Sequence, residues 1–499
     1  MKTKSFIIIV LVLPFFSSYA QDGTLDLSFD LDGKVTTTVG TFNDRGNAIT
    51  LQADNKILVA GQSNDGSKNL FTIIRYNSNG ALDSTFGNKG VSLVDFGTSG
   101  CVANAIAIQE DKKIIVGGHN NTDFALARLN QNGTLDTTFD KDGKVTTSFG
   151  TASNFEYISA LTVLNDGKII AAGTRFSGNY DVALAKFNSD GSLDISFDLD
   201  GKVTTQHPNG LNEYANAMAI ENTKILVAGY ISTGSTNDFQ IIRYNSDGSL
   251  DTSFDLDGKV TTDFGTTQDI ANSIKIQNDG KVVVAGASSN GINSVFAIAR
   301  YNSNGMLDTS FDSDGKVTTA FGTDNTSGNS VHIQDDGKII VAGSSNSNFA
   351  LARYAINGTL DASFGTDGKV TTDFNIQTEN GLQMTLQTDG KIVLVGNSFS
   401  DFTTGFALAR YNNSSIITSL KSQENSFAIF QNPVNELLNI GNNHISPIDH
   451  IVIFDVSGKK LYEEKQNVAS VNIQNLTPGL YFLNIECDGK IFQNKFIKE

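Results

Sequence analysis

Leu250-Asp251-Thr252-Ser253-Phe254 is one of seven copies of the pattern Leu-Asp-x-[Ser/Thr]-Phe, which begins at Leu25, Leu82, Leu135, Leu193, Leu250, Leu307 and Leu360. The steps are 57, 53, 58, 57, 57 and 53 residues, so one supersecondary unit recurs along most of the chain. Working outward from a copy, four short runs alternate apolar and polar residues. In one period these are Lys144 to Phe149, Ile158 to Leu164, Lys168 to Gly173 and Val182 to Asn188, each of strand length. Asn165-Asp166-Gly167 separates the second and third runs and returns as Asn278-Asp279-Gly280, Asp335-Asp336-Gly337 and Thr388-Asp389-Gly390. Asp-Gly between alternating runs predicts a hairpin closed by a tight primed turn, with positive φ at both central residues.

Carboxylate usage points the same way. Residues 21 to 415 contain 39 Asp but 5 Glu, and Asp favours turns where Glu favours helices. The fold class is therefore all-β. Four antiparallel strands per period, repeated seven times, predict a seven-bladed β-propeller over residues 21–415, a ring that closes on itself and leaves no sheet edge. The rival, an open β-solenoid, would have a shorter period and no hairpins joined by Asp-Gly. The array starts with the Leu25-Asp26 connector and the run Lys34 to Val39, and it finishes with Phe406 to Asn412 and no connector after it. One unit is thus split between the two ends. Lys34 to Val39 is expected as the outer strand of the blade built from residues 380 to 412.

Val59-Ala60-Gly61 and Arg75-Tyr76-Asn77-Ser78-Asn79-Gly80-Ala81-Leu82-Asp83, with their copies, resemble the delta-60 repeat, a bacterial β-propeller-type family of secreted and surface proteins, over residues 22 to about 415. Leu129 and Phe187 replace the Tyr, and Gly90-Val91 lacks the Lys of the other copies. The resemblance implies a fold and no single activity.

The 499 residues carry 36 Lys and Arg against 53 Asp and Glu, a formal charge of −17. Such an acidic chain repels phosphate backbones, which argues against a nucleic-acid partner. Residues 1–20 read as a secretory signal peptide: Lys2 and Lys4, an apolar stretch from Phe6 to Phe16, then Ser18-Tyr19-Ala20 before the expected cut. That apolar stretch is too short for an anchor, and no later run reaches the roughly 18 residues a bilayer requires, so the mature chain is expected to have no transmembrane segment. Cys101 and Cys487, assigned below to different domains, are expected to act as small buried hydrophobes rather than as a disulfide.

The repeats stop after Asn412-Asn413-Ser414-Ser415, and residues 416–426 read as a polar linker. Beyond residue 415 the chain has 7 basic and 9 acidic residues, against 27 and 44 in residues 21 to 415, a break that predicts a second domain over residues 427–499. Strands are expected at Leu437 to Ile440, His450 to Val456, Ser470 to Ile473, Gly479 to Ile485 and Ile491 to Ile497, making a small Ig-like β-sandwich. Phe430-Gln431-Asn432-Pro433, Leu438-Asn439-Ile440, Ile453-Phe454-Asp455-Val456-Ser457-Gly458-Lys459, Leu476-Thr477-Pro478-Gly479-Leu480-Tyr481-Phe482 and Lys495-Phe496-Ile497-Lys498 resemble the C-terminal sorting domain, type A, of the Bacteroidetes type IX secretion system. Gln431 departs from the usual Pro-Asn-Pro context. The resemblance implies Asn432, Pro433, Gly458, Pro478, Gly479, Tyr481 and Lys495 as the sorting signature and the type IX machinery as partner. It also implies passage through the periplasm to the outer-membrane surface or the medium.

Site chemistry is sparse. The connectors are dense in carboxylates, of which Asp251, Asp255 and Asp257 before Gly258 are the candidate calcium ligands, since calcium takes several hard oxygens from one turn. Arg243 stands where the first ligand of such a loop would be, and it recurs as Arg75, Arg128, Arg300, Arg353 and Arg410. A permanent cation there predicts a structural ion pair in place of the metal. No other cofactor is implied. The five histidines are scattered, and no paired glutamates or Cys-x-x-Cys spacing suggests catalysis. Residues that break the repeat are Glu156-Tyr157, Arg175 with Tyr180, and Gln206-His207-Pro208-Asn209-Gly210 to Tyr214. The expected function is a surface or secreted binding module for an extracellular glycan or protein. The alternatives are a polymer-degrading hydrolase or lyase, and a structural spacer. Clustering of the irregular residues on one face would favour binding or catalysis.

Overall fold

Alternating runs bury one face of each strand against a neighbouring sheet, and a reversal after every run makes successive strands antiparallel. In the computed structural model, which describes residues 21–150, 155–400, 403–413, 427–430, 434–442, 448–455, 459–465, 470–487 and 490–499, this produces seven four-stranded blades. The leader at 1–20 and the linker at 416–426 lie outside the described residues. Blade 1 runs through Phe42–Leu51, Ile57–Asn64, Asn69–Tyr76 and Val91–Val94. Blade 3 comprises Glu156–Val163, Ile169–Phe176, Tyr180–Phe187 and Lys202–Thr205, and blade 4 comprises Asn212–Glu221, Lys224–Ser232, Asn237–Tyr244 and Lys259–Thr262. Blades 2, 5 and 6 open at Val102, Gln268 and Thr326.

Blade 7 is made of Thr378–Leu386, Ile392–Ser400 and Thr403–Tyr411, and Lys34–Thr37 supplies its outer strand, with Lys34 opposite Ala409. The ring is closed by its own N-terminal strand. That strand ends two residues earlier than expected, because the amides of Val39 and Gly40 turn away to the buried Asp44 carboxylate at 2.5 and 3.0 Å.

The Asp-Gly hairpins differ from expectation. In Gln277 to Lys281, the Gly280 amide donates to the Gln277 carbonyl and the Gln277 amide to the Lys281 carbonyl, and φ is positive at Gly280 (80°) but not at Asp279. This is a type I turn followed by a left-handed glycine, which needs one residue of positive φ rather than two.

The Gly of Val-Ala-Gly has a separate cause. Each inner strand carries a bulge, as between Gly46 and Ala48, that pushes a carbonyl toward the second strand. A Cβ on Gly61 would lie 1.7 Å from the Arg45 carbonyl oxygen, and one on Gly229 1.8 Å from that of Tyr214, so only glycine fits. The bulged residue is Asn in five blades, and Asn47, Asn104, Asn216, Asn272 and Asn329 each donate to a carbonyl of the next inner strand at 2.8–3.1 Å. These amides link neighbouring blades around the axis.

The core consists of one apolar cluster per seam between blades. Val283, Ala285, Phe296 and Ile298 of blade 5, for example, pack on Val331, Val341 and Ala350 of blade 6. The repeated Tyr also serves a seam: the hydroxyls of Tyr76, Tyr244, Tyr301, Tyr354 and Tyr411 bond a Thr on the outer strand of the preceding blade at 2.7–2.9 Å. Among the described residues no helix is long and apolar enough to cross a membrane.

Residues Ile417–Glu499 form a second unit. Phe427–Phe430, Leu437–Asn442 and Ser470–Asn472 make one antiparallel sheet, and Lys460–Lys465, His450–Phe454, Gly479–Cys487 and Lys490–Lys498 make another. Leu438, Ile440, Ile451, Ile453, Val471, Leu483, Ile485 and Phe496 share one core. The strand Lys460–Lys465 escapes pattern recognition because it is a charged edge, Lys-Leu-Tyr-Glu-Glu-Lys, whose side chains stay largely in solvent.

Candidate binding surface

Antiparallel alternation sorts the loops of the ring onto two faces. One carries the Asp-Gly hairpins and the Leu-Asp connectors; the other carries the hairpins between second and third strands and the links between blades.

The connector face is built from one clamp, repeated. Arg243 donates Nε–H to Asp251 at 2.9 Å, Nη1 to the Ser303 carbonyl of the next blade at 2.5 Å and Nη2 to Ser253, while its guanidinium lies 4.5 Å over the Phe254 ring. Lys224 reaches the same Asp251 oxygen at 2.9 Å. The Arg and Asp recur as Arg75 with Asp83, Arg128 with Asp136, Arg300 with Asp308, Arg353 with Asp361 and Arg410 with Asp26, at 2.6–2.8 Å. In blade 3 Lys186 stands in for the Arg, 3.5 Å from Asp194. Burial pushes the Asp251 carboxyl up, but hydrogen bonds from Ser253 and Lys224 and the Arg243 charge outweigh it and hold the group well below the usual carboxylate range.

Of the candidate calcium ligands, Asp251 is therefore taken up by the clamp. Asp255 is exposed in a left-handed conformation with its amide on the Asn304 carbonyl, and Asp257 accepts the Lys259 amide at 2.8 Å. Among the described residues the group of three acids whose oxygens come within 4.8 Å of one another is a different one, Asp238, Asp263 and Asp269. They sit on the opposite face at the seam of blades 4 and 5, on three separate elements, so no local spacing could reveal them. Burial and the two neighbouring carboxylates push Asp238 up. Asp269 is engaged by the Phe264 amide and the Thr266 hydroxyl.

The second face is where blades differ. Glu156 is fully buried and accepts the Phe149 amide with both oxygens, and Glu213, also fully buried, accepts Lys259 at 2.7 Å and Gln240 at 2.8 Å. Both glutamates hold their own surroundings together. Next to them, side chains distant in sequence converge into an aromatic column. Phe176 meets Tyr180 at 4.9 Å, Tyr180 stacks on Tyr214 at 4.8 Å, and Tyr214 stacks on Tyr230 at 4.3 Å with 13° between planes. A second string joins His119, Phe155 and Tyr157 at 5.2 and 5.5 Å. Burial and the neighbouring phenols raise the hydroxyls of Tyr157, Tyr214 and Tyr230, which stay protonated. The Tyr180 amide bonds Asn212 across the seam of blades 3 and 4 at 3.0 Å. Arg175 is held by Asp181 at 3.4 Å and by the Phe149 carbonyl, and Gln206 also donates to Asp181.

The structure thus brings together Tyr157, Arg175, Tyr180, Gln206 and Tyr214, five of the irregular residues of the sequence. Phe155, Phe176, Tyr230 and His119 join them and were missed, since each looks locally like ordinary strand-end drift.

In the C-terminal unit, Gly479 opens a strand after Pro478, the Tyr481 hydroxyl donates to the Thr477 carbonyl at 2.6 Å with its ring 5.5 Å from Phe496, and Lys495 is exposed opposite Phe482. Asn432, Pro433 and Gly458 lie outside the described residues, as does the Cys487 side chain; Cys101 is buried and free.

Comparison with known families matches the domain of unknown function (DUF5122) beta-propeller at residues 52–86, 109–139, 164–197, 224–254, 277–311, 334–364 and 387–415, and the secretion system C-terminal sorting domain at residues 428–499. No curated protein matches the chain. Similar solved structures include a catalytically inactive virginiamycin B lyase from Staphylococcus aureus with quinupristin, at 11% identity over 75% of this chain and 98% of that one, with a TM-score of 0.44. The polysaccharide lyase Uly1 is similar at 12% identity, covering 74% and 90%, TM-score 0.45. PorZ, a surface component of the type IX secretion system of Porphyromonas gingivalis, is similar at 10% identity, covering 90% and 74%, TM-score 0.26. The ring belongs to the DUF5122 beta-propeller family and the C-terminal unit to the type IX sorting domains, so the protein is a seven-bladed propeller exported to the cell surface or the medium.

Proposed function

We propose that the ring is a ligand-binding module displayed or released outside the cell, with its ligand held on the face that carries the links between blades. One observation carries this: the side chains that depart from the repeat gather around the Tyr180 to Tyr230 column, while the opposite face repeats one clamp from blade to blade. A structural spacer would have no reason to concentrate its variation, whereas loops held by a rigid ring are where recognition evolves. Aromatic side chains bring large contact area at small entropic cost, which suits them to anchoring a partner.

The experiment is a screen of the full chain against polysaccharides and surface proteins, repeated with Tyr214→Ala and with Leu256→Ala, the latter on the connector face where Leu256 is 91% exposed. Binding should fall by about tenfold or more in the first variant and stay unchanged in the second. Equal binding by all three proteins would refute the assignment of the face. Shortening of a bound polysaccharide during the assay would replace a binding module by a hydrolase or lyase.

A further inference from the structure

The aromatic column is electrically neutral although it belongs to an acidic protein, and that neutrality restricts what it can hold. Among the described residues, Arg175, Glu156 and Glu213 beside it are each engaged by a partner. Arg175 faces Asp181 and the Phe149 carbonyl, Glu156 the Phe149 amide, and Glu213 faces Lys259 and Gln240. His119, at the end of the second string, is pushed down to about 4 by burial and is neutral at ordinary pH. Hydroxyls and carboxamides remain: the phenols of Tyr157, Tyr180, Tyr214 and Tyr230, with the exposed Asn179 and Asn209 beside them. Phe176 and Phe155 extend the surface outward at 36% and 41% exposure.

Such a surface has a defined chemical complement. Tyr214, stacked between Tyr180 and Tyr230, presents its phenol edge, so the rings open to a sugar are those of Phe176 and Phe155. Their faces carry the negative side of the aromatic quadrupole and attract the weakly positive C–H groups of a pyranose ring, while phenols and amides exchange hydrogen bonds with sugar hydroxyls. Among the described residues a polyanion finds no free cation here, and the net charge of −17 together with Asp238, Asp263 and Asp269 on the next seam repels it. Among the described residues a basic peptide reaches no open carboxylate on the column itself, since the unpaired Glu213 Oε2 is fully buried.

We infer that the column formed by Phe176, Tyr180, Tyr214 and Tyr230 is a binding site for an uncharged glycan chain. This rests on the loop face being the binding face. The site joins side chains of two neighbouring blades, Phe176 and Tyr180 of blade 3 with Tyr214 and Tyr230 of blade 4.

The test is affinity electrophoresis of the full chain in gels containing neutral polymers (β-glucan, xylan, galactomannan) or anionic ones (alginate, polygalacturonate, chondroitin sulfate), with an oligolysine peptide titrated separately. At least one neutral polymer should retard the protein, with little change on adding salt, and the anionic ones should not. Phe176→Ala, a change at an exposed ring that spares the fold, and Tyr180→Ala should each weaken retardation about tenfold. Tyr180→Phe, which keeps the ring, should lose less. Absence of retardation by every neutral polymer would overturn the inference, as would salt-sensitive binding of the anionic polymers or of oligolysine. If a peptide or polyanion binds and Tyr180→Ala abolishes it, the glycan assignment falls and the binding face stands. If a neutral polymer binds with no response to Phe176 or Tyr180, both fall.

Discussion

Arg243 and Asp251 are eight residues apart in sequence and meet Nε to Oδ2 at 2.9 Å, both more than nine-tenths buried, while the same guanidinium reaches the Ser303 carbonyl of the following blade. The pair is therefore both a connector lock and a fastener between blades. Removing the cation leaves a buried carboxylate with Lys224 as its remaining charge partner. Arg243→Ala should cost the ring about 3–5 kcal/mol in urea unfolding. Arg243→Lys should cost clearly less, because Lys186 already fills this place in blade 3, though it loses the bond to a Ser hydroxyl. Equal loss from both substitutions would contradict the clamp.

A chelator should leave the melting of the ring unchanged. Asp251 Oδ1 is occupied by Ser253 and Oδ2 by Arg243 and Lys224, so the buried carboxylate of the connector has no free oxygen pair to offer calcium. A ligand bound only by the folded state stabilises it by mass action, and a chelator-induced drop in Tm reversed by calcium would show that the connectors or the Asp238 group hold metal.

Acid should destabilise the ring in two stages. Burial lowers the folded pKa of His119 and His332 to about 4, below the ordinary value of 6.5, so the unfolded chain takes up protons first and stability falls as pH drops from 6.5 toward 4. Asp26 and Asp308 are lowered to about 2 from 3.8, so the stability they contribute is present above 3.8 and lost as pH falls toward 2. Each of these clamps should lose about 2 kcal/mol over that window. Urea midpoints at pH 7, 4 and 2.5 measure both stages, and a His332→Gln variant should flatten the first.

Closure by Lys34–Thr37 predicts that deletion of residues 21–40 exposes Thr403–Tyr411 as an open edge and also removes Asp26 from Arg410 and Asp22 from Arg353. The truncated ring should melt well below the intact one and associate at high concentration, as light scattering would register. Melting at the intact temperature would show that this strand does not lock the ring.

Removal of residues 416–499 should leave the protein in the periplasm of a host with type IX secretion, and the same segment behind a signal peptide and a reporter should carry the reporter to the surface. Surface delivery without the tail would separate export from the sorting domain.

The number of blades, the split seventh unit and the sorting signature are all local or periodic signals. Leu-Asp-x-[Ser/Thr]-Phe recurs at a nearly constant step, and a period of 53–58 residues holds four strands whatever their loops contain. The Arg243 and Asp251 pair was also legible, because one connector brings both residues together. The glycine of Val-Ala-Gly was visible as a repeat but not as a necessity, since the carbonyl it must accommodate lies on another strand. Of the aromatic column, Tyr180 and Tyr214 were visible as breaks in the repeat, but their contact and the parts of Phe176 and Tyr230 were not. Tyr180 and Tyr214 touch because blades 3 and 4 pack face to face across their seam, and neither spacing nor composition encodes which loop ends become neighbours. Backbone periodicity is set within one repeat and can be read from the chain; a surface assembled from two blades exists only once those blades have packed together.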